Sequence, residues 1–188
     1  MVGESDPEKL TIVDRTLPKV EPRDQVRLSI DPSHRGEFRY ISGPHTGELY
    51  ATADVVFPVL HGRFGEDGTI QGFFELSSVP FVGAGVLASA NAVDKEFTKK
   101  LLAAEGLPVA REVILRRRAE LTEQEKDLLG LPVFVKPARG GSSIGVSKVT
   151  SWDDFPAAAE LALQHDEKVL VESEVVGAEV ECGVLQYP

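Results

Sequence analysis

Leu131-Pro132-Val133-Phe134-Val135-Lys136-Pro137-Ala138-Arg139-Gly140-Gly141-Ser142-Ser143-Ile144-Gly145-Val146 is the stretch on which the reading of this chain turns. Residues 131–137 read as a strand. Side chains alternate along a strand, so Val133 and Val135 share one face, Phe134 and Lys136 share the other, and Lys136 projects from the strand's end. Residues 140–145 follow as a loop, in which glycines let backbone N–H groups converge on an anion and serines add hydroxyl donors. Lys136 supplies the compact positive charge that a β- or γ-phosphate needs. The same residues also suit a flexible hairpin turn with a surface lysine snorkelling at a strand end. Two common nucleotide motifs are excluded. Gly145 is followed by Val146-Ser147 rather than Lys-Ser/Thr, no helix opens directly after the loop, and the glycine spacing is not Gly-x-Gly-x-x-Gly.

Downstream, Val146 to Val149 reads as a strand and Ser151 as the cap of a helix containing Phe155, Ala158, Ala159 and Ala162. Val169 to Val176 and Glu179 to Leu185 are expected as two further strands. In the first of these, Glu172 and Glu174 fall on one face about 7 Å apart, and like charges so placed need partners. A nucleotide supplies them through its amino group and hydroxyls; a solvated acidic edge strand is the plainer alternative.

Upstream, Asp94 to Glu105 is the clearest helix. Val93, Phe97 and Leu101 form an apolar stripe, Gly106 supplies the C-terminal cap and Pro108 prevents continuation. Lys95 sits in its first turn, where the helix dipole disfavours a cation, so it points either to a ligand or to a solvent-facing lysine compensated by Asp94. Val109 to Leu115 reads as a strand, and Thr122-Glu123-Gln124-Glu125 as a capping box opening a short helix that stops at Gly130. Further back, Asp54 to Leu60 reads as a buried strand ending in the glycine-rich run His61 to Gly68. His61 is placed to donate to a phosphate or carboxylate, whereas Glu66 and Asp67 suit the N-terminus of a helix carrying Ile70, Phe73 and Phe74. Val79 to Val82 is expected as a brief strand. Residues 1–52 are polar, contain five prolines, and show only Val26, Leu28 and Ile30 in strand-like alternation.

The 188 residues are enough for one large domain or two small ones, and 42% hydrophobic with 27% charged residues exclude a fibrous or disordered chain. Twenty Lys+Arg against thirty Asp+Glu give a net charge of −10, which argues against nucleic acid or an anionic membrane as the main partner. Cys182 is the single cysteine and no signal sequence opens the chain, so a reducing cytoplasm is expected. Leu76 to Val93 is too interrupted by serines, Pro80 and glycines for a membrane span. The punctuation at Gly106 to Val109 suggests two α/β modules.

Taken in order, residues 61–72, Val82 to Ser89, Asp94-Lys95, Lys136-Pro137 with Gly141 to Val146, and Glu172 to Glu179 resemble the D-alanine:D-alanine ligases of the ATP-grasp superfamily. The resemblance runs from about Asp54 to Leu185. It implies a partial α/β ATP-grasp fold: the remainder of a preATP-grasp domain over 1–92, then the central ATP-grasp subdomain and the start of the C-terminal ATP-binding domain over 93–188. The implied reaction is ATP-dependent ligation of two D-alanines through an acyl phosphate, for peptidoglycan synthesis, by a cytoplasmic homodimer. Carried over by position, Lys95 and Lys136 would bind ATP phosphates, Ser142 and Ser143 would belong to the loop that grips them, and Ser142 would help orient the substrate. Glu172 would accept from the adenine amino group, the backbone near Val175 would pair with the ring, and Glu179 would hold the ribose. His61 would sit near the first D-alanine. The family's N-terminal glycine-rich turn, its ω-loop and its Mg²⁺ ligands are expected outside these residues, so no metal ligand is assigned and the 188 residues alone are expected to be inactive. A non-catalytic nucleotide-binding module, or a ligase using D-lactate or D-serine as acceptor, are the rival readings.

Overall fold

The computed structural model describes residues 24–186, so the first 23 residues of the polar stretch 1–52 lie outside the described residues. The chain divides into two compact units, with the boundary between Ser89 and Ala90.

In the first unit, β1 (Val26–Leu28), β2 (Glu37–Tyr40) and β3 (Leu49–Thr52) form an antiparallel sheet in the order β1-β2-β3, with Val26 opposite Tyr40 and Glu37 opposite Thr52. Helix α1 (Thr69–Leu76) supplies Phe74, which joins Leu28 and Val79 in a small core lined by Phe38, Val56, Ile70, Phe73 and Phe81. The strand expected at Asp54 to Leu60 is not formed. Among the described residues its ladder pairing is a single parallel bridge from Val56 to Phe81, and Phe57 and Val59 are 71% and 69% exposed. Val79 to Val82 is reduced to the other side of that bridge. An apolar run lies buried in a sheet only where neighbouring strands are in register beside it. Asp67 does serve the helix start, accepting from the Thr69 and Phe64 N–H groups at 3.0 and 2.8 Å, while Gly68 takes the cap position in the left-handed region. Helix α2 (Val86–Val93) carries the boundary between the units. No helix among the described residues is long and apolar enough to cross a membrane.

The second unit is a four-stranded antiparallel sheet in the order β4-β7-β5-β6, made of β4 (Glu112–Arg116), β5 (Val133–Pro137), β6 (Ser147–Val149) and β7 (Lys168–Ser173). Its alternation is that expected for β5: Val133 and Val135 are fully buried, Phe134 and Lys136 half-buried. Val113, Leu115, Val169 and Val171 join the same buried face, and α5 (Phe155–Leu163) closes it with Phe155, Ala158, Ala159 and Ala162. Ser151 caps a short 3₁₀ turn that leads into α5. Helix α4 (Glu123–Leu129) opens with the expected capping box, in which the Thr122 side chain accepts from Glu125 N–H and the Glu125 carboxylate accepts from Thr122 N–H.

The opposite face of this sheet is charged. Helix α3 (Lys95–Ala104) presents Glu96 and Lys99 to it, and the stripe predicted for that helix is not the buried one: Phe97 and Leu101 are 49% and 50% exposed, whereas Glu96 is 2% exposed. The sheet decides this. Glu112, Arg116, Lys168 and Glu172 stand on the strand positions facing the helix, around Ile114 and the buried Leu170, and Glu96 and Lys99 pair with these charges. Residues 179–185, expected as a final strand, form no ladder and are exposed, Val180 and Val184 by 88% and 90%.

Candidate functional site

The charged face of the second unit opens into a cavity of about 620 Å³. Its walls are the end of β5, the loop 140–144, the end of β7 and the extended segment after it. Of the residues singled out from sequence, Lys95, Lys136, Ser142, Ser143, Glu172, Val175 and Glu179 all line this cavity. His61 belongs to the first unit, where its exposed ring has Nδ1 3.9 Å from Glu66.

Each wall follows from local chain chemistry. Lys136 is placed by strand alternation, opposite to the buried valines. Lys95 begins α3, with Asp94 as N-cap accepting from Glu96 N–H at 3.1 Å. Its ammonium turns to the backbone, donating to the carbonyls of Gly140 at 2.7 Å and Pro137 at 3.3 Å. The Asp94 carboxylate hydrogen-bonds to the buried Lys168 and compensates Lys95 through its charge alone, together with Asp166 and Glu172. Burial pushes the Lys95 ammonium below its ordinary pKa, and the nearby Lys136 charge adds to the shift. Both cations line the cavity, where an anion could be held by them.

The loop supplies donors of another kind. Ser142 and Ser143 both have left-handed backbone, φ 51° and 55°, a conformation costing roughly 1–2 kcal/mol per non-glycine residue. Consecutive residues of this kind turn their N–H groups to one side, and among the described residues no hydrogen bond is made by the N–H of Gly141, Ser142 or Ser143. At the start of the loop, Arg139 is fixed by Asp166, which accepts from its backbone N–H at 2.8 Å and from its guanidinium. At the end, Gly145 leaves no room for a side chain, since a Cβ there would lie 2.6 Å from the His165 ring.

Glu172 is the partly buried acid of the cavity, and both its oxygens are partnered. Lys136 on β5 donates to Oε1, and Lys99 on α3 donates to Oε2 at 3.0 Å. Burial raises the Glu172 pKa, but the two lysines outweigh it and hold the carboxyl below its ordinary value. Glu174, expected to need a partner too, pairs with Lys148. After β7 the chain runs extended along the cavity, and among the described residues no hydrogen bond is made by the Val175 N–H.

Sequence reasoning misses Lys99, Lys168 and Asp166. Lys99 lies one turn after Lys95 on the same side of α3, a spacing that was legible, but its partner Glu172 is 73 residues away. Among the described residues, no group of three or more His, Cys, Asp or Glu could hold a metal, and Glu172 is engaged by lysines. These residues do not fit Mg²⁺.

The geometry is a phosphate-sized cradle of two lysines and a donor-rich loop, with a carboxylate and a free backbone edge further along. A family model described as "D-ala D-ala ligase N-terminus" matches residues 1–84, and one described as "D-ala D-ala ligase C-terminus" matches residues 101–187. The chain belongs to the D-Ala–D-Ala ligase family. It is 72% identical over 188 residues to the D-alanine–D-alanine ligase of Corynebacterium efficiens, covering 100% of this chain and 51% of that protein. It is 64% identical over 185 residues to the enzyme of the same name from Corynebacterium diphtheriae, covering 98% of this chain and 50% of the relative. The chain thus spans about half the length of the curated relatives it matches. Among solved structures, the VanG D-Ala:D-Ser ligase from Enterococcus faecalis superposes with a TM-score of 0.72 at 40% identity, over 82% of this chain and 43% of that one. The D-alanine–D-alanine ligase from Coxiella burnetii gives 0.68 at 32% identity, over 81% of this chain and 43% of its own. The fold is the α/β ATP-grasp fold of these ligases.

Proposed function

We propose that this chain provides the nucleotide-gripping part of an enzyme that ligates two D-alanines to D-alanyl-D-alanine at the expense of ATP. The observation that carries the reading is the single cavity shared by Lys95, Lys136, Ser142, Ser143, Glu172, Val175 and Glu179. ATP fits what is there. Its phosphates enter between Lys95 and Lys136, relieving their mutual repulsion, and are gripped by the unused N–H groups of residues 141–143. Glu172 accepts from the adenine amino group, the Val175 backbone pairs with the ring and Glu179 accepts from the ribose hydroxyls.

In the ligation, a D-alanine carboxylate oxygen attacks the γ-phosphorus, the bond from that phosphorus to the β-phosphate bridging oxygen breaks, and ADP leaves. The amine of the second D-alanine then attacks the acyl phosphate carbon, losing a proton and releasing inorganic phosphate. Cations and N–H donors concentrated where phosphate charge develops are the electrostatic means of accelerating the first step. Ser142 on the gripping loop orients the substrate, and His61 is assigned to the neighbourhood of the first D-alanine. On this reading the dipeptide serves peptidoglycan synthesis in the cytoplasm and the enzyme is a homodimer.

The test is ADP release by the full-length protein on adding D-alanine to a mixture with ATP, with the dipeptide identified by mass. Nucleotide binding without D-alanine-dependent ADP release would reduce the protein to a binding module. One observation favours a second acceptor: the 40% identical solved structure is a D-Ala:D-Ser ligase. Adding D-serine to the same assay decides it, because a mixed dipeptide in excess over D-alanyl-D-alanine would reassign the acceptor.

A further inference from the structure

Glu172 is held by two cations, and the reading above needs one of them elsewhere. If Lys136 grips a phosphate, it leaves Glu172 Oε1, and a carboxylate that is 18% exposed then depends on what remains. Among the described residues four charged groups face it: Lys136 from β5, Lys99 from α3, Glu112 from β4 directly opposite in the ladder, and Lys95 at the cavity mouth. Glu112 repels it. Lys99 is therefore the one cation that stays, and its side chain is itself only 12% exposed.

The geometry of Lys99 matches that duty. Its ammonium lies 2.7 Å from Glu112 Oε2 without the alignment of a hydrogen bond, leaving that buried oxygen unbonded, while it donates properly to Glu172 at 3.0 Å. The directed bond goes to the carboxylate that lines the cavity. The Glu112 charge in turn holds the ammonium from behind, so Lys99 cannot follow Lys136 toward the phosphates without abandoning two carboxylates.

Resting on the assignment of Glu172 to the adenine amino group, we infer that Lys99 is the positioning residue that keeps the Glu172 carboxylate in place as an acceptor once Lys136 moves to phosphate, and so sets the preference for a base with an exocyclic amine over one with a carbonyl. A fixed, ionised acceptor welcomes the adenine N–H and repels the O6 of hypoxanthine. Without Lys99, Glu172 retains Lys136 or takes up a proton, and both outcomes weaken triphosphate binding and blur the choice of base.

The experiment measures the Kd of ATP and of ITP on the full chain. For Lys99→Met, ATP binding should weaken about tenfold, equivalent to about 1.4 kcal/mol, and the ITP-to-ATP ratio of Kd values should fall at least several-fold. Lys99→Arg should restore most of the ratio, and the surface variant Lys126→Met should leave it at the parent value. A Lys99→Met protein that binds ATP more weakly but keeps the parental ratio would overturn the inference and leave Lys99 a structural residue. Should Lys99→Met not fold, Lys99→Gln, which keeps a donor but not the charge, carries the same expectation. Glu172→Gln separates the two readings. A ratio lowered by Glu172→Gln but not by either Lys99 variant refutes Lys99 alone, whereas a ratio unmoved by Glu172→Gln refutes the adenine assignment and the inference with it.

Discussion

The two faces of the β4-β7-β5-β6 sheet come from the same strands, one residue out of step, and are held by opposite physics. On one, Leu115, Val133, Val135, Val169 and Val171 pack against the alanines of α5 and water is excluded. On the other, Glu112, Arg116, Lys168 and Glu172 meet Glu96 and Lys99 of α3 through ion pairs, and the same face runs on into the cavity. The apolar face can hold the strands by area alone, at about 1.5–3 kcal/mol for each large side chain buried. The charged face contributes less net stability, because desolvation offsets much of each attraction, but it fixes directions, which a ligand site needs.

The contrast is broken most severely from the apolar side. Leu115→Ala removes a fully buried side chain and should lower unfolding free energy by about 4 kcal/mol in a denaturant titration. It should leave the ITP-to-ATP ratio of any folded fraction unchanged; a changed ratio would mean that the faces are not independent.

Acid probes the charged side. Burial alone would raise the Glu96 pKa, but hydrogen bonds from Lys100 and Lys168 and the charges of Lys168 and Arg116 bring it from 4.5 down to about 2. A carboxyl with a depressed folded pKa stabilises above its unfolded pKa and loses that contribution as pH falls through the folded one. Between about pH 4.5 and 2 the parent should therefore lose on the order of 3 kcal/mol that Glu96→Gln never had. Glu125 falls to about 2 as well, through Arg118 and the Thr122 cap, so the difference between parent and variant, not the parent curve, is the measurement. Parallel acid curves for the two proteins would deny Glu96 that role.

Function should respond in the opposite proportion. Lys136→Ala should slow ADP release about a hundredfold while moving the melting temperature little, since Lys99 still serves Glu172. A normal rate would remove Lys136 from the phosphate site. Ser142→Ala should cost about tenfold in turnover, measured by the same release assay, with the melting temperature nearly unchanged. A large loss of stability at normal turnover would make Ser142 a turn residue and no more.

Sequence patterns carried the apolar face well and the charged face unevenly. The β5 alternation, the Thr122 capping box and the α5 alanines are local signals, each readable within a few residues, and all appear in the fold. Lys136, Ser142, Ser143 and Glu172 were legible because loop chemistry and strand alternation place them. What failed depends on partners. Phe97 and Leu101 have helical periodicity, yet the face of α3 that is buried was chosen by charges on distant strands. Asp54 to Leu60 has the composition of a buried strand and, among the described residues, lacks the neighbours that would make it one. Lys99 stayed hidden for the same reason, its role being defined by a residue 73 positions away.

The anchoring of the glycine loop has a mechanical consequence. Arg139 at its start is tied to the His165–Asp166 turn by hydrogen bonds, and Gly145 at its end runs past the same turn with no space for a side chain between. The loop thus leaves and re-enters the fold beside a single post. Ser142 and Ser143 lie between these two points, so a shift of the post would be passed to the residues that carry the hydroxyls. Bulk added at Gly145 would displace the post itself, and with it the register at which β7 enters the sheet.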